Sequence, residues 1–309
     1  MALTLTSIYR YPVKSCRGEA LTTATVEPWG LGGDRRWMLA DTDGETVTAR
    51  EHPRMLLISP ELSPAGYAPD GGGTPTEDGV WLRAPDKDDL FVATPQDSAT
   101  TVSVHKGTPF AASAGSAEAA DWLSDYLGVA VSLVFTDDPT RRHPNPKFTR
   151  PTDSVSFADA YPLLLATEES LAQVNDWIAA GPLAHEGPLD MRRFRPNVVV
   201  SGAPAFTEDT WRKVRIGTAV FRTPKGCDRC VLTTTDPDTA ARGKEPIATL
   251  ARHRRWDGAT WFAMNLVPDN AVPDNAVRDN AVPDDPGATI NIGDEVEVLE
   301  TAESDGPPR

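Results

Sequence analysis

Two thiols, Cys227 and Cys230, stand three residues apart, with Arg229 between them and the hydroxyls of Thr233, Thr234 and Thr235 just beyond. Thiolate sulfur is a soft donor suited to Zn, Cu(I), Fe–S clusters and similar centres, and a neighbouring cation favours thiolate over thiol. The spacing is open to three readings: one thiolate ligand to a metal, a thioredoxin-like dithiol, or half of a zinc site. Zinc in a structural site takes four ligands, yet the chain has only one further cysteine, Cys16, and no histidines at finger spacing. A thioredoxin-like pair sits near a βαβ pattern, whereas this one follows the strand-like alternation of residues 214–221 and precedes a Thr-rich turn.

The elements that must position these thiols read as two modules. Short strands separated by polar turns are expected at 3–10, 37–40, 47–49, 56–59 and 102–105. An amphipathic helix follows, capped by Ser116 and stopped by Gly128, with Ala119, Trp122, Leu123, Tyr126 and Leu127 on one stripe. A strand at 129–135 closes this first module, 1–135. The polar, Pro-rich stretch 136–153 reads as the linker. The second module, 154–309, opens with a helix from Thr167 carrying Leu171, Val174 and Ile178 on one side, then a buried strand at 198–200 and a strand at 214–221. A helix from Pro246 ends in Arg252, Arg254 and Arg255, which suit the negative end of its dipole and need no other role. Ile290 and Ile292, then Val296 and Val298, alternate as in half-buried strands. The expected class is mainly β with a few helices (α+β).

Residues 267–286 repeat a five-residue unit, VPDNA twice, then VRDNA and VPDDP. A period of five matches neither helix nor strand, and Pro with Asp-Asn favours turns, so an acidic surface loop is expected between two strands. Loop closure costs only about 0.6 kcal/mol per doubling of length, which tolerates such an expansion.

The 309 residues carry a formal charge of −15, which argues against nonspecific binding of nucleic acid. The densest apolar runs fall far short of the ~20 residues of a membrane span, and the N-terminus lacks a charged region followed by an apolar one, so neither membrane nor secretion is expected. Few cysteines fit a reducing cytoplasm better than a disulfide scaffold. Within this acidic chain, basic clusters stand at Lys14 and Arg17, at Arg35 and Arg36, at Arg141, Arg142, Lys147 and Arg150, and at Arg192, Arg193 and Arg195. They predict a shared anion pocket. The five histidines, His52, His105, His143, His185 and His253, show no ligand spacing.

The run CDRCVLTTTDPDT, together with YPVKSCRG at 11–18, GLGGDRRWML at 30–39, TAREHPRM at 48–55, SFADAYPLLL at 156–165 and RFRPNVVVSG at 193–202, closely resembles the MOSC-domain proteins. The branch is that of the mitochondrial amidoxime-reducing components and their bacterial relatives. The resemblance implies a MOSC N-terminal β-barrel-like module followed by a MOSC β-barrel domain, and it implies the molybdenum cofactor (Mo-molybdopterin). By the same resemblance Cys230 ligates molybdenum, with Cys227 a neighbour. Lys14, Ser15, Arg35, Arg195 and Asn197 cradle the cofactor's phosphate and pterin; Asp228 and Arg229 contribute from the cysteine loop, and Asp159, Ala160 and Tyr161 align with pterin-contacting positions. Asp34 is expected to orient Arg35 and Arg36, and Asp236 and Asp238 to form a turn.

The implied activity is reduction of a small-molecule N-oxygenated substrate, such as an amidoxime, a hydroxamic acid or an N-hydroxylated base, with release of water. No ferredoxin-type cysteine cluster is present in the sequence, so a separate ferredoxin, haem or flavin electron donor is implied. The alternatives are a non-catalytic carrier of the cofactor, or a sulfur-transfer module of the kind found beside cysteine desulfurases.

Overall fold

The computed structural model describes residues 2–65, 76–96, 99–269 and 288–303. Seven strands close into a barrel in the order Leu163–Thr167, Val198–Ser201, Leu3–Arg10, Glu295–Thr301, Trp211–Ile216, Ala219–Arg222 and Ala259–Pro268, and the last pairs back to the first through Leu163–Leu266 and Leu165–Met264. All neighbours are antiparallel except the first two. Parallel neighbours require a crossover. Helix α2, Glu168–Ala179, lies between them in sequence; Thr167 caps it by accepting from the Ser170 amide at 3.2 Å, and Glu168 and Glu169 face its positive end.

A barrel this small is filled by its own side chains. Leu5, Ile8, Leu165, Val198, Val200, Val214, Ile216, Phe221 and Leu266 are fully buried there. Each such side chain contributes about 1.5–3 kcal/mol. The 214–221 stretch is a hairpin and not one strand, because Gly217 takes φ +54° and a Cβ there would lie 2.4 Å from the Asp294 carboxylate.

The first module holds a four-stranded sheet, in the order Trp37–Ala40, Ser132–Phe135, Phe110–Ala114 and Ala99–Val102, and a three-stranded one of Ser59–Ser63, Gly79–Arg83 and Leu90–Ala93. Helix α1, Ala117–Leu127, begins where Ser116 Oγ accepts from the Ala119 amide and ends at Gly128 with φ +73°. It buries Ala119, Leu123 and Tyr126 in a core with Trp37, Leu39, Leu82 and Leu133. Residues 47–49 form no ladder beyond the single bridge at Thr46, and Pro53 starts a 3₁₀ turn, Pro53–Leu57, where a strand at 56–59 was expected. The strand expected at 102–105 ends at Val102, and the one expected from 129 begins at Ser132.

The backbone crosses between the halves twice. Leu3–Arg10 is a stave of the barrel built mainly from the second half, and Ala288–Asn291 pairs with Thr23–Glu27 of the first. Stretch 136–153 is tied to both sides: Arg141 pairs with Asp137, Arg142 donates to Ser156 O at 2.6 Å, and Asp153 pairs with Arg222. Val267 and Pro268, the start of the repeat, end a barrel strand, and Asp269 meets Arg150, Lys213 and Arg222. The rest of the repeat lies in 270–287, outside the described residues. Helix α3, Ile247–His253, precedes a buried Arg254 that pairs with Asp209, so this arginine anchors the fold as well as ending the helix. Among the described residues no helix is long and apolar enough to cross a membrane.

Candidate functional site

A cavity of ≈ 530 Å³ opens where the two halves meet. One wall is the cysteine loop. Gly226–Asp228 pairs with Ala259–Pro268, the Arg229 amide donates to Thr260 O at 2.7 Å, and Asn265 Nδ2 donates to Gly226 O at 3.0 Å. Cys230 then caps the 3₁₀ turn Val231–Thr234, with Thr233 Oγ donating to its carbonyl at 3.0 Å. The two thiols fare differently. Cys230 is exposed to the cavity; Cys227 is half-buried against the cluster that contains Phe194 and Phe262, and Arg229 Nη1 donates to its sulfur at 2.9 Å. Burial pushes the Cys227 thiol up, with Arg229 opposing.

The opposite wall comes from the turn after the first strand. Lys14 is buried and donates from Nζ to Phe157 O at 2.8 Å and to Asp159. Burial lowers its pKa to about 8 against the pull of Asp159. Arg35 and Arg195 both lie over the Tyr11 ring, 4.5 and 4.2 Å from its centroid, and Arg195 Nη1 also donates to Cys16 O at 2.8 Å. Asn197 helps build the wall: its Oδ1 accepts from Arg35 and the Leu164 amide, and its Nδ2 donates to Tyr9 O. Ser15, Arg35, His105 and Arg195 all hold positive φ at this cavity. Each such backbone costs about 1–3 kcal/mol, and four of them line this one cavity.

The third wall is the loop before Leu163. Arg142 ties it down by donating to the carbonyls of Ser156, Ala158 and Asp159. Asp159 is the hub: burial acts to raise its carboxyl, but Lys14, His105 and Arg50 outweigh this and hold it well below the usual carboxylate range. Tyr161 is pushed up to about 12, by burial first and by Asp228 and Cys227 after it.

The structure brings to one cavity the residues that the resemblance assigns to the metal and cofactor: Lys14, Ser15, Arg35, Asp159, Ala160, Tyr161, Arg195, Asn197, Asp228, Arg229 and Cys230. The basic clusters do not stay together. Arg17 and Arg192 share Asp238, Arg36 donates to Thr136 O and Asp137 O and not to Asp34, and Arg150 is taken by Asp269. Several wall residues were missed, among them Arg50, His105, Asn145, Phe148, Lys225 and Asn265. Arg50 sits in the quoted stretch 48–55, on a tight turn closed by the Glu51 and His52 amides to Thr48 O, and its Nε lies 3.3 Å from Cys230 Sγ. His105 had no sequence signal; it follows a strand and meets Asp159 at 2.9 Å.

The walls carry Lys14, Arg35, Arg50, Arg193, Arg195, Lys225 and Arg229 against two acids, Asp159 and Asp228. Arg195 Nη2 and Arg229 Nε are buried without a hydrogen-bond partner. Unmet cationic donors of this kind fit an anionic ligand rich in acceptor oxygens, which a phosphate-bearing pterin is. Among the described residues no group of three or more His, Cys, Asp or Glu side chains is placed to hold a metal. A metal bound through Cys230 would thus need donors brought by its own cofactor, and a four-ligand zinc site has no such set here.

Comparison with known proteins agrees with this architecture. The MOSC N-terminal beta barrel domain matches residues 2–130 and the MOSC domain residues 152–297. The chain is 31% identical over 309 residues to mitochondrial amidoxime-reducing component 1 of Homo sapiens, across 96% of this chain and 83% of that protein. It is 32% identical over 265 residues to mitochondrial amidoxime reducing component 2 of Homo sapiens, across 82% and 73%. It is also 30% identical over 279 residues to the molybdenum cofactor sulfurase of Oryza sativa subsp. japonica, across 85% of this chain and 32% of that protein. The two-module β architecture, the match to both domains and the near full-length similarity make this chain a MOSC-domain protein of the mitochondrial amidoxime-reducing component family.

Proposed function

We propose that the protein is a molybdenum-cofactor-dependent reductase of N-hydroxylated compounds, taking electrons from a separate donor protein. The observation that carries this reading is the pairing of one open thiol, Cys230, with a cavity of seven cationic side chains in an otherwise acidic chain. When bound, the cofactor supplies the two-electron chemistry. The chain's own residues do the rest. Cys230 would hold the metal, Lys14, Ser15, Arg35 and Arg195 the phosphate and pterin, and the loops at Asp159–Tyr161 and Asp228–Arg229 would fix its orientation. Fixed guanidinium forks suit phosphate because they are charged at all relevant pH and need little reorganisation.

The second reading is a carrier or sulfur-transfer module, favoured by the similarity to the rice molybdenum cofactor sulfurase. Protein from a molybdate-supplemented host separates the two. A reductase contains molybdenum and pterin and turns over N–OH compounds with an artificial reductant; a carrier contains the pterin and turns over none of them.

A further inference from the structure

His105 Nε2 lies 2.9 Å from Asp159 Oδ1 and 3.3 Å from Arg50 Nη1. The first neighbour can only accept a hydrogen bond, since its carboxyl is held ionised by Lys14 and Arg50, and the second can only donate. A protonated Nε2 donates to Asp159; a bare Nε2 accepts from Arg50. Both proton states thus have a partner already in place. Arg50 meanwhile keeps its Nε on Cys230 Sγ and another nitrogen on Asp159. The turn that carries the ring is fixed from below, where the Glu45 carboxylate accepts from the Lys106 amide at 3.1 Å. The His105 side chain is 37% exposed, which gives it a route to solvent.

We infer that His105 is a catalytic residue, the proton-loading group of this site. The inference rests on the reductase reading. Reduction of an amidoxime breaks the N–O bond with two electrons from the donor protein; one proton goes to nitrogen and one to the departing hydroxyl, giving water. His105 delivers one of these when its Nε2 hydrogen leaves Asp159 for the substrate; Arg50 then donates to the bare nitrogen until the ring regains a proton from solvent. The groups facing the ring are Asp159 and Arg50, with Lys14 and Arg142 behind Asp159, Cys230 beyond Arg50, and Glu45 and Lys106 at its own turn.

The test compares wild type with His105→Gln and His105→Phe as holoproteins, with molybdenum and pterin content measured alongside kcat/KM for benzamidoxime under saturating viologen reductant. We expect unchanged cofactor content, a loss of roughly 10²-fold in kcat/KM at pH 8, in the range of positioned general acids, and disappearance of the alkaline limb of the pH profile. A second readout uses the cofactor-free protein. Ring ¹⁵N resonances should show Nε2 gaining its proton as pH falls while Nδ1 keeps its hydrogen. Active wild type with an equally active His105→Gln of unchanged profile would overturn the inference and leave the reductase reading intact, as would titration at Nδ1. Wild-type holoprotein that reduces no N–OH compound removes both.

Discussion

Arg50 of the first module donates from Nε to Cys230 Sγ of the second, 3.3 Å away. The sulfur that the sequence singles out is thus reached from across the module boundary, and the same guanidinium also meets Asp159. Arg50→Met should therefore lower molybdenum content without unfolding the chain, since its other attachments are at the cavity. The check is metal-to-protein ratio after dialysis, with Tm as the control.

The two cysteines should behave asymmetrically. Cys230→Ser should abolish molybdenum retention and reduction, while Cys227→Ser should keep most of both, because the Cys227 sulfur is held by Arg229 and packed beside Phe194 and Phe262. Equal loss in both variants would revive the dithiol reading.

Lys14→Ala and Arg195→Ala should each weaken cofactor retention more than folding. Removing one charge-assisted hydrogen bond removes about 1.5–3 kcal/mol, or roughly one to two decades of affinity. Wild type should add a pH signature. The Lys14 ammonium, lowered by burial to about 8, is lost from the cofactor-free protein above that pH, so affinity for the anionic cofactor falls as pH rises through it. Reconstitution at pH 7 and at pH 9.5, with Lys14→Arg as the insensitive control, measures this.

Much of this site was legible in the sequence because its residues sit in contiguous runs whose chemistry reads locally: a thiol pair with an arginine between, a Lys-Ser turn, an Arg-Pro-Asn turn. Ser116 and Gly128 likewise announced both ends of α1, since capping is a local property. What could not be read depended on long-range pairing. The barrel takes Leu3–Arg10 from one end of the chain, and His105 reaches Asp159 only because separate modules fold against each other. The hairpin at Gly217 was hidden because apolar residues resume directly after it, although Ala219 and Phe221 fall one residue out of step with Val214 and Ile216, which they face across the turn. Sequence also grouped cations that the fold disperses to different acids.

Glu208 offers a stability test away from the cavity. It is fully buried, accepts from Ser170 Oγ at 2.6 Å, and leaves Oε2 without a partner. Burial, with Ser170 opposing, raises its carboxyl to about 7. A raised carboxyl means the folded state binds more protons between the unfolded value and about 7, so this contribution is present at low pH and is lost as pH rises through that window. Its size is on the order of 3 kcal/mol. Glu208→Gln should therefore compare more favourably with wild type at pH 8 than at pH 5 in thermal melts; a gap independent of pH would contradict the assignment.

Asp269 closes the barrel strand that leads to the repeat, and it meets Arg150, Lys213 and Arg222. Asp269→Ala should cost about 1–3 kcal/mol by leaving Arg150 and Lys213 without this acid, while Arg222 keeps Asp153. A deletion of 271–285 that spares Asp269 should leave Tm within experimental error. Equal destabilisation by the two changes would show that the repeat itself carries the stability.

The central claim is that Cys230 and its cationic cavity serve molybdenum-dependent reduction of N–OH groups. The most direct measurement is conversion of benzamidoxime to benzamidine by protein of verified molybdenum and pterin content, given an artificial reductant, beside its Cys230→Ser variant. The account predicts turnover that scales with molybdenum content, is absent in the variant, and depends on NADH or NADPH only when a donor protein and its reductase are added. Molybdenum-loaded protein that stays inactive toward amidoximes, hydroxamic acids and N-hydroxylated bases with every donor would contradict it.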